Sequence, residues 1–81
     1  MIKRLEIRTN GSCKTCHTAV DELVPLANQQ GIPVIISKPL ETDEMIPVVC
    51  FIEDIDGYQK KTCFEGYGED TKALFDLFVK S

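Results

Sequence analysis

Hydrophobic and polar positions change period along this chain, and the changes mark out its elements. Leu5 and Ile7 alternate with Arg4, Glu6 and Arg8, so residues 2–9 read as a strand. Asn10-Gly11-Ser12 is a turn cluster, after which Ser12 or Cys13 is placed to cap a helix. In that helix Cys16, Val20, Leu23, Val24 and Ala27 fall on one apolar face, and Gly31 ends it. Pro25 lies inside the pattern, where it removes one backbone hydrogen bond and should kink the helix. Ile32-Pro33-Val34-Ile35-Ile36 is a short apolar run that fits a strand buried on both faces. Residues 38–44 are a polar connection with room for one helical turn. Val48-Val49-Cys50-Phe51-Ile52 is a second buried strand, preceded by Ile46-Pro47. Asp56-Gly57 is a strong hairpin signal, with residues 58–64 as the returning strand. Gly66-Tyr67-Gly68 breaks the chain. Asp70 then caps a last helix, in which Leu74, Leu77 and Phe78 form a stripe flanked by Ala73.

The order is strand, helix, strand, short connection, strand, hairpin, strand, helix. A strand-helix-strand opening implies a parallel pair with a right-handed crossover. The hairpin adds antiparallel strands. The expected fold is α/β: a small mixed four-stranded sheet flanked by helices, of thioredoxin-like architecture, with the second helix shortened or missing. The 81 residues suffice for a single domain, 1–81.

Composition narrows the function classes. The chain is 43% hydrophobic and 27% charged, ordinary for a soluble globular protein. Its net charge of −4 argues against a nucleic-acid binder, which would carry a basic excess. No apolar run approaches the roughly 20 residues of a membrane span. The first eight residues alternate instead of forming a signal-peptide core, so no membrane association is expected and the cytoplasm is the expected compartment. Thiols are kept reduced there, so a Cys-x-x-Cys pair reads as catalytic or metal-binding.

Cys13-Lys14-Thr15-Cys16-His17 lies between the first strand and the first helix, the context of a redox motif. At the helix start the Cys13 sulfur meets unpaired backbone N–H groups and the positive end of the helix dipole, which favour a thiolate. Lys14 adds a positive charge. Cys16 shares the buried stripe and should be less exposed and less acidic. Cys13 is thus expected to attack and Cys16 to resolve the mixed disulfide. Pro47, just before a buried strand, stands where this architecture places a cis-proline, with Ile46 offering backbone to an extended substrate. The plainer alternative is a trans proline that begins a strand.

Together these segments resemble the glutaredoxin-like proteins, and among them most the NrdH-redoxins. Cys13-Lys14-Thr15-Cys16-His17 is similar to that family's Cys-x-x-Cys-His. Ile46-Pro47-Val48-Val49 is similar to its Leu-Pro-Val-Val segment, and residues 64–70 to its Ser-Gly-Phe-Arg-Pro-Asp segment, with Gly66, Tyr67 and Asp70 in register. The resemblance implies a dithiol electron carrier without a bound cofactor, acting as a monomer. Its reductant would be thioredoxin reductase or, as second choice, glutathione. Its substrate would be a disulfide-containing protein such as ribonucleotide reductase. The implied substrate-binding residues are Lys14, Thr15, Ile46, Pro47, Gly66 and Tyr67. Tyr67 matches an exposed aromatic position of the family, with core packing as the alternative. Two departures stand out: residues 38–45 are too few for the family's second helix, and Gly68-Glu69 replaces Arg-Pro.

Rival readings use the same residues. Cys-x-x-Cys-His is also a c-type haem attachment signature, which the strand-rich pattern and lack of an export signal oppose. His17 either tunes the thiol or faces solvent in the first helical turn. A zinc site, or a non-catalytic binding module on this fold, is the alternative function. It would need Cys50 and Cys63 or His17 as further ligands, and the spacing is wrong for a zinc ribbon. The Asp56-Gly57 turn sets Cys50 opposite Cys63 at a non-hydrogen-bonded pair, where Cα atoms lie about 4.5 Å apart. A cross-strand disulfide is geometrically allowed there. The plainer expectation is two reduced cysteines packed as small hydrophobes.

Overall fold

The structure, a computed structural model, describes residues 2–11 and 13–81. Ser12, one of the two expected helix caps, lies outside the described residues. The elements are β1 (Ile2–Arg8), α1 (Lys14–Gln29), β2 (Val34–Ser37), β3 (Val48–Ile55), β4 (Tyr58–Glu65) and α2 (Glu69–Lys80). The strands form one sheet in the order β2-β1-β3-β4. β1 and β2 are parallel, and the other two pairings are antiparallel. This is the expected mixed four-stranded sheet with a helix missing between β2 and β3.

Strand alternation decides which side chains the helices cover. Leu5 and Ile7 of β1 stand opposite Phe51 and Val49 of β3. Together with Leu23 and Ala27 of α1, Ile32, and Phe75 and Phe78 of α2, they make the core cluster. The α1 face is rotated from its expected position: Ala19 is buried with Cys16, Leu23 and Ala27, whereas Val20 and Val24 are half-buried. In α2 the buried residues are Thr71, Phe75 and Phe78, and Leu77 is 66% exposed, so Leu77 does not belong to the apolar stripe. Phe75 takes its place, sharing with Thr71 and Phe78 one face of a helix that begins at Glu69 behind Gly68, not behind Asp70. The Gly68 N–H donates to Thr71 Oγ1 at 3.2 Å, which satisfies a helix-start donor without Asp70.

Both ends of α1 are locally determined. Cys13 is the N-cap, in extended conformation. At the far end Gly31 adopts φ 69°, with its N–H on Asn28 O at 3.1 Å and the Ile32 N–H on Ala27 O at 2.9 Å. This pair of bonds is a Schellman motif, and its left-handed residue favours glycine. The helix runs unbroken through Pro25. The hairpin turn takes φ 43° at Asp56 and 91° at Gly57, as a type I′ turn requires. It pairs Ile55 with Tyr58 and sets Cys50 against Cys63.

The second face of the sheet has no helix. β2 is an edge strand, so Ile35 and Ile36 are 41% and 51% exposed and not buried on both faces as the apolar run suggested. β3 keeps its central burial nonetheless: Val48, Cys50 and Ile52 are 3% exposed or less. They lie under charged side chains. Glu6 of β1 and Lys61 of β4 join across β3 at 2.9 Å, and Arg4 pairs with Asp54 at 2.8 Å. Their aliphatic stems cover apolar surface while the charged heads stay near water. Burial alone would raise the Glu6 pKa, but the bonds from Lys61 and Ser37 and the charges of Lys61 and Arg8 outweigh it and hold the carboxyl low.

Candidate functional site

The site forms where the end of β1, the start of α1 and the turn before β3 meet. As the cap of α1, Cys13 turns its sulfur toward open backbone donors. The Cys16 N–H donates to Cys13 Sγ at 3.3 Å, and the His17 N–H donates to the Cys13 carbonyl at 3.1 Å. Cys13 is half-buried and Cys16 only 1% exposed. Both are free thiols. The thiol hydrogen bond from Cys16, the backbone N–H groups of Cys16 and Thr15, and the Thr15 hydroxyl together hold the Cys13 pKa below that of an ordinary thiol. Burial and then the neighbouring Cys13 push Cys16 the other way, against smaller opposing contributions from Thr9 and the Asn10 backbone. The two sulfurs thus differ in access and in acidity: the reachable one is the better thiolate.

The segment carrying Pro47 completes the site. The Ile46–Pro47 bond is cis. The Cys13 thiol points at the Ile46 carbonyl, 3.9 Å away. The Gly66 N–H donates to Pro47 O at 2.7 Å, so the end of β4 is tied to the start of β3 beside Cys13. Gly66 has φ 85°, a conformation glycine adopts at no steric cost. The Met45 N–H adds a bond to Glu65 Oε1 at 3.0 Å.

An ion pair the sequence did not reveal anchors this segment from behind. Arg8, at the end of β1, makes two contacts with Asp43: Nε to Oδ2 at 3.1 Å and an NH2 group to Oδ1 at 3.2 Å. Both side chains are nearly buried, at 9% and 7%. Asp43 Oδ2 also accepts the Leu40 N–H at 2.8 Å. The NH2 contact is a charge-assisted hydrogen bond, and the Nε contact adds ionic attraction. It holds residues 40–43 against the sheet, where the missing helix would otherwise fix the chain. Its only sequence trace is that Arg8 ends the strand preceding the cysteines.

A groove of about 360 Å³ runs between the N-terminal parts of the two helices, lined by Lys14, Thr15, Thr18, Glu22, Tyr67, Gly68, Glu69 and Lys72. Tyr67 is half-buried and packs against the core cluster while its hydroxyl donates to Glu22 Oε1 at 2.8 Å, so it serves both packing and the groove. Burial and the Glu22 carboxylate push its pKa up. The Lys72 ammonium and the Tyr67 hydroxyl, despite some opposing burial, hold Glu22 low. Of the expected substrate-binding residues, Lys14, Thr15 and Tyr67 line this groove, while Ile46, Pro47 and Gly66 belong to the cis-proline segment and its bond to the end of β4. His17 is exposed on the first turn of α1.

The remaining cysteines are not the reduced pair expected. Cys50 and Cys63 are joined as a disulfide between β3 and β4, with Cα atoms 4.0 Å apart. The turn register brings the two residues face to face, close enough for the bond to close. Bonded to each other, they do not offer thiolates to a metal alongside Cys13 and Cys16. Among the described residues no group of three His, Cys, Asp or Glu side chains gathers as a metal site.

No protein-family model and no curated protein matches the sequence. Among solved structures, a thioredoxin of Trichomonas vaginalis superposes with a TM-score of 0.70 at 16% identity, covering 96% of this chain and 78% of that one. The chain therefore has the thioredoxin-like fold. That likeness, carried by shape and not by sequence, leaves the chemistry to be argued from the site.

Proposed function

We propose that the protein is a thiol–disulfide oxidoreductase, a small dithiol carrier that reduces disulfides in partner proteins. The observation that carries this reading is the asymmetry at the helix start: Cys13 Sγ accepts the Cys16 N–H at 3.3 Å and is reachable, while Cys16 is 1% exposed. The Cys13 thiolate attacks one sulfur of a substrate disulfide. The substrate S–S bond breaks, its second sulfur leaves as a thiolate and is protonated, and a mixed disulfide joins Cys13 to the substrate. Cys16 then loses its proton and attacks Cys13 Sγ, freeing the second substrate thiol and closing the Cys13–Cys16 disulfide. Two electrons and two protons have passed to the substrate.

The resemblance to the NrdH-redoxins supports a finer reading. A flavin-containing thioredoxin reductase restores the dithiol, with glutathione as second choice, and ribonucleotide reductase is a fitting acceptor. The backbone of Ile46, before the cis-proline and beside Cys13, would receive an extended substrate segment together with Pro47 and Gly66, and Lys14, Thr15 and Tyr67 would receive its flank. No bound cofactor is required, and the protein would act as a cytoplasmic monomer.

Insulin reduction, driven by dithiothreitol or by NADPH with thioredoxin reductase, tests this reading. The wild type is expected to accelerate it, and Cys13→Ser to fall to the protein-free rate. If neither Cys13→Ser nor Cys16→Ser changes a measurable activity, the reading is wrong.

A further inference from the structure

The Cys50–Cys63 bond plays no part in the chemistry above, yet its setting is that of a reactive group. β4 is the last strand of the sheet, and Cys63 on it is exposed, whereas Cys50 on the inner strand is fully buried. The bond lies on the face without helices, in the row that runs Ile35, Glu6, Cys50, Cys63 across the sheet. A thiolate displaces one sulfur from the other by approaching along the S–S axis, from the side away from the leaving sulfur. At Cys63 that side opens beyond the sheet edge. At Cys50 it lies within the sheet.

We propose that Cys50–Cys63 is a second thiol–disulfide exchange site, opened from solvent at Sγ of Cys63 by dithiols in preference to monothiols. The incoming thiolate bonds to Cys63 Sγ, the Cys50–Cys63 bond breaks, and Cys50 leaves as a thiolate that takes up a proton. Cys50 stays fully buried beside Cys63, held by the Glu6–Lys61 pair that crosses β3. Facing Cys63 across the hairpin, the freed Cys50 sulfur stays within reach of any adduct on Cys63. A monothiol adduct on Cys63 is therefore expelled by Cys50, which re-forms the bond. A dithiol escapes this reversal: its second thiol attacks its own sulfur in the mixed disulfide, releases Cys63, and departs as a disulfide. The dithiol is oxidised and the protein gains two electrons and two protons.

The location gives the site a consequence. Cys50 lies three residues after Pro47, and Cys63 three before Gly66, the two residues whose backbones bond at 2.7 Å beside Cys13. Among the β4 side chains only Phe64 is not exposed, so the crosslink adds a covalent attachment to a strand otherwise held mainly by its backbone pairing with β3. In its closed state it ties together the two strands that Pro47 precedes and Gly66 follows.

The test uses the double variant Cys13→Ser/Cys16→Ser, which removes the first pair, so its result stands or falls apart from the function proposed above. Should Ser at the buried position 16 prevent folding, Cys13→Ser/Cys16→Ala replaces it. Purified without reductant and alkylated with iodoacetamide, it is expected to gain no alkyl group. After dithiothreitol under native conditions it gains two. Glutathione at equal thiol concentration is expected to open the bond at least about tenfold less. Two alkyl groups before any reductant, none after dithiothreitol short of denaturation, or equal opening by glutathione each overturn the proposal.

Discussion

On one face of the sheet Leu5, Ile7, Val49 and Phe51 lie under two helices; on the other Val48, Cys50 and Ile52 lie under ion pairs and a crosslink. Along β3, burial is almost as complete on the second face as on the first, but it is reached with different materials. The helix face relies on apolar contact, which is non-directional and scales with the area removed from water. The bare face relies on charged stems laid across β3 and on one covalent bond. Each face also carries a cysteine pair with one buried and one accessible sulfur. At the start of α1 the accessible sulfur meets backbone donors that favour a thiolate. In the middle of β4 the accessible sulfur sits on a strand, and register joins it to its neighbour. The lesson is that exposure alone does not define a thiol's role; the donors around it do.

Substitution on each face separates these materials. Phe75→Ala, under the helices, should show the largest loss, about 3–5 kcal/mol, from lost transfer energy and the cavity left behind. Urea unfolding followed by circular dichroism reads it, and a loss no larger than for a surface residue would mean that the apolar cluster is not the main support.

Cys50→Val combined with Cys63→Thr removes the covalent support of the other face. The bond closes a loop with a sequence separation of 13, for which chain entropy suggests a loss of about 3 kcal/mol. The same unfolding experiment should bring the reduced wild type close to this variant. If reduction leaves the wild type as stable as before, the crosslink adds nothing to that face.

Lys61→Met should cost least, at most about 1 kcal/mol, because Lys61 is partly exposed and its stem is largely preserved. The Glu6 carboxyl titrates lower in the folded chain than in the unfolded one, so its contribution is present above the unfolded pKa and is lost as pH falls through the folded pKa. The stability difference between Lys61→Met and wild type should shrink over that acidic range. A difference that does not change with pH would show that Lys61 acts through packing alone.

Much of this contrast could be read from local sequence. Alternation in residues 2–8 marks β1, Asp56-Gly57 sets the register that pairs Cys50 with Cys63, and the short connection after β2 signals the missing helix. The acidity order of Cys13 and Cys16 followed from their places on a helix start and a buried stripe. What escaped were rotations and long-range contacts. Val20 and Ala19 are neighbours, and an apolar-rich helix fits either phase; in the folded chain Ala19 is buried and Val20 half-buried. The last helix starts behind Gly68, which lacks a capping side chain and so gave no signal, and contact with the core turned Phe75 and Phe78, not Leu77, inward. β2 read as buried because its composition is apolar, yet its position at the sheet edge is a property of topology. Arg8 and Asp43 meet across 35 residues, beyond the reach of any local pattern.

The claim that Cys13 attacks and Cys16 resolves is tested most directly by trapping. Reduced Cys16→Ser, mixed with an excess of a disulfide-bonded protein such as insulin, is quenched in acid and mapped by mass spectrometry after non-reducing digestion. If Cys13 is the attacking thiol, the mixed disulfide accumulates on Cys13, and Cys13→Ser yields no adduct at Cys16. An adduct on Cys16 in the Cys13→Ser protein, at a level equal to that on Cys13 in Cys16→Ser, would contradict the asymmetry on which the proposed chemistry rests.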